Sequence, residues 1–331
     1  MQYVELHCKS NFSFLEGASH ADELVERASE LGYAGLAVTD RNSLAGIVRA
    51  RTAAKDAGLR FIVGAELHPV DGPPIVVWPI DRAAYGRLSR IITRGRLRRE
   101  KGGCEIRWED ILQLNHGLVA GLLLRQPVVD ELPAADMQFF SDEDVMPWEH
   151  SAERQPDPRV NLDGPASESL NTGYAEPGFG TENAFSSHLP ALPSADFDVH
   201  DEQGWLKWLG LFREAFGDRG YLLTELHRGV DDAALLERLQ TLGRRSCVPL
   251  VAAGDVHYHT AERSILYDCL TATRFNTTID SVAAERLPNS QFHLRSLQQL
   301  RELYSHAPEL IERTTDIADQ LSFSLDELRY E

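Results

Sequence analysis

The chain has 331 residues, 43% hydrophobic and 25% charged, with a formal net charge of −18. That length allows one large domain or two modest ones, and no apolar run approaches the roughly 20 residues of a membrane helix. The opening MQYVELHCKS lacks a secretory signal, and Cys8, Cys104, Cys247 and Cys269 form no CxxC pair. Export, a disulfide scaffold and a thiolate zinc site are therefore not expected, and the expected compartment is the cytoplasm.

In chain order, the first predicted strand is Tyr3–His7, followed by a helix over His20–Leu31 with Ser19 as its cap and Gly32 past its end. Leu24, Val25, Ala28 and Leu31 supply the apolar stripe of that helix. Strand Gly35–Thr39, helix Leu44–Ala57, and strands Phe61–Leu67 and Ile75–Trp78 come next, the last two joined as a hairpin through HPVDGPP. A basic helix over Arg82–Arg99 leads to strand Leu118–Leu123.

Between Asp130 and Glu202 the pattern lapses. That segment holds 17 acidic residues against Arg154 and Arg159, and eight of the 16 prolines. It carries −15 of the −18, so the remainder is nearly neutral. Such a stretch cannot bury enough apolar area to offset its chain entropy, and 130–202 is read as a disordered insertion. It serves either as a neutral spacer or as a partner-binding segment. Helix Gln203–Phe216, strand Tyr221–Glu225, helix Asp231–Arg245, strand Leu250–Ala253 and helix Ala261–Thr273 follow, with more helix between Ser296 and Gln320.

Most of the seven strands are near-continuous apolar runs, as expected for strands covered on both faces. They suggest a closed barrel or a doubly wound sheet. In a parallel barrel, chemistry gathers where strands end. Here those ends read LHCKS, VTDRN, GAELH, LTELH and AAGDVHYH. They bring His7 and Lys9, Asp40 and Arg41, Glu66 and His68, Glu225 and His227, and Asp255 and His257 toward one place.

YVELHCKSNFSFLEGAS, LGYAGLAVTD, FIVGAELHPV and VPLVAAGDVHYH resemble the successive motifs of a PHP (polymerase and histidinol phosphatase) domain. ELHRGVDDAALLERL, HLRSLQQLREL and the final FSLDELRYE extend the resemblance to error-prone, DnaE-type alpha subunits of bacterial DNA polymerase III. It covers about 1–128 and 203–331. It implies a distorted seven-stranded (β/α) barrel with a long acidic insertion. The barrel would comprise 1–129 and 203–280, with 281–331 a helical segment leading toward a polymerase core. In active members such a barrel holds divalent zinc, manganese or iron and hydrolyses phosphoesters.

Carried over residue by residue, the resemblance assigns metal-ligand positions to His7, Glu16, Glu66, Asp255 and His257. Imidazoles and carboxylates of this kind hold cations that polarise a phosphoryl oxygen and acidify a bound water. Three positions depart from the pattern: Lys9 stands for the second histidine of the opening HxH, Arg41 for the histidine of TDH, and Pro74 for a strand-leading histidine. Neither Lys nor Arg ligates a metal at neutral pH. No cofactor is therefore expected beyond a weakly bound divalent ion. Lys9 and Arg41 are expected to pair with Glu16, Glu66 or Asp255, replacing lost cations; the alternative turns them to solvent. His68, Glu225, His227 and His259 are auxiliary candidates.

The resemblance thus implies a catalytically degenerate, structural PHP portion of an error-prone polymerase, in translesion replication and repair. Its expected partners are a polymerase core or other mutagenesis-cassette proteins, with DNA met indirectly and no membrane. Nothing here resembles a polymerase palm, so copying DNA alone is not expected. The alternatives are a metal-dependent phosphoesterase, whether exonuclease, pyrophosphatase or small-ester hydrolase, and an interaction protein acting through the acidic segment. Arg87, Arg90, Arg94, Arg96, Arg98, Arg99 and Lys101 form a nucleic-acid contact, a docking face or a solvated face, the last two being the favoured readings.

Overall fold

The computed structural model describes residues 2–125, 192–193 and 201–328. The acidic segment therefore lies almost wholly outside the described residues. The apolar runs form strands nearly where the sequence places them: β1 Val4–Glu5, β2 Gly35–Val38, β3 Arg60–Val63, β4 Ala65–Leu67, β5 Ile75–Pro79, β6 Leu118–Leu122, β7 Gly220–Glu225 and β8 Leu250–Ala253. The expected strand Phe61–Leu67 is two strands, interrupted at Gly64. Only glycine fits there, since a Cβ would meet Trp78 Cδ1 at 2.7 Å and Thr39 Cγ2 at 2.8 Å.

The strands make two sheets in place of the single seven-stranded ladder expected. One is parallel, in the order β1-β2-β3; the other runs β4-β5-β6-β7-β8. In the second, β5 is antiparallel to both neighbours, while β6, β7 and β8 are parallel. The HPVDGPP hairpin between β4 and β5 causes that reversal. Isolated bridges join Arg41 to Glu66 and Cys8 to Val256.

Both faces of the strands are buried. One face contributes Val4, Leu6, Ala37, Ile62, Val76, Trp78, Val119, Leu223 and Val251 to a common cluster. The other packs Leu36, Val38, Leu67, Val77, Ala120, Leu222 and Ala252 against the helices. The period-two alternation of a strand feeds both layers, which is why so few polar residues interrupt the runs.

The helices are α1 Ala21–Glu30, α2 Ile47–Ala57, α3 Arg82–Leu97, α4 Trp108–Leu114, α5 Glu202–Phe216, α6 Asp232–Ser246, α7 Ser264–Arg274, α8 Leu297–Leu303 and α9 Glu309–Gln320. Ser19 does not cap α1. His20 takes that position, its backbone N–H donating to Glu23 Oε2 at 2.8 Å, while Ser19 Oγ bonds His259 Nδ1. Helix α4 is unforeseen: at seven residues it is too short for a clear period. Helix α9 lays Ile317 and Ala318, and its C-cap Leu321, against the cluster shared by both sheets, and Thr314 Oγ1 accepts from Val4 N at 3.2 Å.

The arginines of α3 and of the turn after it lie at or near the surface, several of them hydrogen-bonded to neighbouring groups. Arg87 donates to the His116 carbonyl, Arg96 to the carbonyls of Asn42, Gly102 and Gly103, and Arg98 to Asp110 through both terminal nitrogens. Arg94 reaches Gln113 and Arg99 pairs with Glu105. Arg96, Arg98 and Arg99 thus brace the turn between α3 and α4 while remaining exposed.

Candidate functional site

The polar strand ends meet in one buried cup. His7 and Lys9 follow β1, Glu66 lies in β4, Glu225 ends β7, and Asp255 follows β8. Because β5 runs opposite to its neighbours, Pro74 at its start lies at this end of the sheet. It offers only its carbonyl, to Leu123 N at 3.1 Å. Asp255 adopts a left-handed φ of 45°, which Asp tolerates better than most residues. The preceding Gly254 leaves room for Glu5, whose Oε1 accepts Gly254 N at 2.9 Å.

Glu66 is fully buried and ringed by donors: Lys9 Nζ at 2.8 Å and His7 Nε2 at 3.2 Å on one oxygen, His68 Nε2 at 2.9 Å on the other. Lys9 Nζ also stands 3.5 Å from Asp255 Oδ1. The other ring nitrogen of His7 lies 2.5 Å from Glu225 Oε1 and 3.8 Å from Asp255 Oδ1. Arg125, beyond the end of β6, bridges Glu225 and Asp255, its NH2 2.5 Å from Asp255 Oδ2. Three carboxylates thus face an ammonium, a guanidinium and an imidazole whose two nitrogens both meet carboxylate oxygens.

The proton inventory follows from these contacts. Burial works against charge on His7, but Glu225 and Glu66 overrule it and raise its pKa to about 9. Lys9 is likewise raised: its desolvation is outweighed by Glu66 and Asp255. Burial would push Glu66 and Asp255 upward, yet Lys9 holds the first and Arg125 the second well below the ordinary carboxylate range. Glu225 is lowered too, burial being outweighed by Arg125. At neutral pH the cup is a closed ion network, its charges balanced from within.

Glu16 sits in a second group. Arg41 pairs with its Oε1, and Arg274 reaches the same oxygen at 3.1 Å. Here burial raises the carboxyl and Arg41 lowers it further, giving a net depression. His257 connects the two groups, Nδ1 donating to the Glu16 carbonyl at 2.9 Å and Nε2 lying 3.2 Å from Asp255 Oδ1. Asp40 turns away to accept from Ser10 N, Ser10 Oγ and Ser13 Oγ, fixing the loop after β1.

The auxiliary histidines divide. His68 does share the Glu66 carboxylate. His227 donates Nε2–H to the Gly254 carbonyl and stacks on Phe292 with centroids 3.8 Å apart, so it supports the backbone behind Asp255. His259 engages Ser19 and stands outside the cup's ion pairs. Sequence reasoning missed Arg125 and Arg274. Arg125 closes the run GLLLR and could have been noticed as a charge at the end of a buried strand; Arg274, the last residue of α7, gives no such signal.

An ion cluster needs neutral imidazoles and carboxylate oxygens open to the metal. Among the described residues, His7, Glu225 and Asp255 offer ligand atoms within 4.8 Å of one another. Those same atoms, however, are engaged by Arg125, Lys9 and the two-sided pairing of His7. As arranged, the side chains present do not fit a cluster of two or three ions.

Residues 5–140 match the PHP domain family. Over its full length the chain is similar to error-prone DNA polymerases. It is 43% identical over 331 residues to that of Rhodopirellula baltica and 37% identical over 330 residues to that of Dechloromonas aromatica. Each alignment covers 100% of this chain but only 23% and 25% of the relative, so the chain spans about a quarter of the curated relatives it matches. Among solved structures, a metal-dependent phosphoesterase candidate from Bifidobacterium adolescentis aligns over 94% of this chain and 99% of its own. At 14% identity and a TM-score of 0.44 that likeness is loose.

Proposed function

We propose that the chain is the PHP module of an error-prone DNA polymerase, serving as a scaffold without hydrolytic power. The observation that carries this reading is the seating of Lys9 and Arg125 on Glu66, Glu225 and Asp255. A side-chain cation balances a carboxylate but supplies no Lewis acid and no acidified water. Arg41 on Glu16 repeats the arrangement at the rim.

In this reading the two sheets are one distorted seven-stranded barrel. β3 and β4 count as a single strand broken at Gly64, and the Arg41–Glu66 and Cys8–Val256 bridges mark the seams. Residues 1–129 and 203–280 form the barrel, 281–331 the helical extension, and 130–202 an inserted spacer. The partner is a polymerase core, which alone meets the DNA.

Elemental analysis of the purified protein tests the proposal, together with hydrolysis of a chromogenic phosphate ester in added Mn2+. Less than a tenth of an equivalent of metal and no turnover is the expected outcome. Stoichiometric zinc or manganese with turnover would favour the phosphoesterase reading, for which the proximity of His7, Glu225 and Asp255 is the supporting observation.

A further inference from the structure

We infer that the groove between α2 and residues 323–328 docks a segment of a partner polypeptide that carries an apolar side chain and, a few residues on, a carboxylate. This groove shares no residue with the cup and owes nothing to the chemistry there. Its cavity has a volume of about 280 Å3. Phe61 and Val63 of β3, with Phe323 and Leu325, give it an apolar lining. Arg51 and Lys55 stand on one wall, a helical turn apart on the same side of α2.

The chain itself displays the chemistry that this wall recognises. Phe323 is buried with Ile47 and Val63 and stacks on Tyr85, ring centroids 4.7 Å apart, while Leu325 and Leu328 pack on the same cluster. Asp326 then pairs with Arg51. The turn is fixed by Ser324 N donating to Glu327 Oε1 at 2.8 Å and Asp326 N to Ser324 Oγ at 3.3 Å. FSLDEL thus joins apolar anchors to one ion pair, and it uses only half of the wall. Lys55 is exposed and pairs with no carboxylate among the described residues. Beside it Gly58 has a left-handed φ of 64°, and a Cβ there would meet nothing within 4 Å, so the approach is open.

A second segment of this kind sets an apolar side chain against Phe61 and Leu325 and its carboxylate on Lys55, one turn along from the pair already made. Charge complementarity selects the occupant. A single ammonium next to the Asp326 carboxylate suits one acidic side chain and repels a run of phosphates. A second copy of this chain is a poor occupant, because its own FSLDEL is already seated. One anchor and one exposed ion pair make a weak, reversible contact.

The test is fluorescence anisotropy of a labelled synthetic peptide, FSLDEL, added to the full chain at low salt. Saturable binding is expected, weakening as salt rises. Lys55→Glu should weaken it by at least about fivefold, and Lys55→Arg should keep it within about twofold. The neutral peptide FSLNQL should bind the wild type more weakly than FSLDEL, yet the two should bind Lys55→Ala alike, which assigns the carboxylate to that ammonium. The peptide ASADEA, without the anchors, should not bind. Absence of FSLDEL binding, or equal binding of FSLNQL to the wild type, overturns the docking site. Binding indifferent to Lys55→Glu also overturns it, since the peptide has then displaced the chain's own segment from Arg51. Sedimentation of the chain as a dimer that Lys55→Glu dissolves would make a second copy the occupant and overturn the partner. None of these outcomes alters the metal content of the cup, so the scaffold reading is tested separately.

Discussion

At the scale of single residues, the cup sets opposing demands on pH. His7 binds its proton more tightly folded, about 9 against an ordinary 6.5, so its contribution is complete below 6.5 and lost as pH rises toward 9. His227 does the reverse: burial lowers its pKa to about 4, so its contribution is complete above 6.5 and lost as pH falls toward 4. The depressed carboxyls of Glu66 and Asp255 lose their contribution below about pH 4, where the unfolded chain takes up protons first. Urea unfolding across pH should therefore show a maximum near 6.5, and His7→Gln should flatten the alkaline limb while leaving the acid limb. Lys9→Met strands two buried carboxylates and is expected to cost about 3–5 kcal/mol by the same assay at neutral pH. The role of Lys9 was legible because a cation stands where the motif has an imidazole. That of Arg125 was not, since ion pairing across strands depends on which residues the sheet sets side by side.

At the scale of elements, apolar runs and glycines located the strands well, and the sequence failed where spacing depends on tertiary approach. Gly64 looks unremarkable within FIVGAEL, yet the Trp78 and Thr39 side chains close on it and the ladder changes partner there. Gly64→Ala is expected to destabilise by about 1–3 kcal/mol through overpacking, read by denaturant titration with the β4 side chains displaced. The arginines of α3 carry the opposite lesson. The charge run is exposed, as such runs usually are, yet Arg96, Arg98 and Arg99 also hold carbonyls or acidic partners around the α3–α4 turn. Helix α4 escaped notice for its shortness, although Trp108 is fully buried and its indole N–H donates to the Pro73 carbonyl at 3.2 Å.

At the scale of the whole molecule, the first strand and the last α-helix of the described residues depend on each other. β1 is only two residues long, and its Val4 is held by Thr314 and packed in the cluster that Ile317 and Leu321 complete. Deleting 309–331 uncovers that cluster and leaves a buried backbone donor unpaired. The truncated chain is expected to lose its cooperative melt and to bind a hydrophobic dye, as followed by near-ultraviolet circular dichroism and dye fluorescence. The alternation of strands and helices made the α/β class readable, and the polar strand ends made the location of the cup readable. How the strands divide between two sheets was not readable, because that rests on single bridges at Arg41 and Cys8. The slightly acidic balance outside 130–202 argues against an extended DNA-binding face on the described residues.

The unequal depth of Lys9 and Arg125 makes the two cations unequal in consequence. The Lys9 side chain is 4% exposed and the Arg125 side chain 37%. A sealed charge that loses its partner costs far more than one that water can reach. Substitution is therefore tolerated sooner at the mouth of the cup than at its floor.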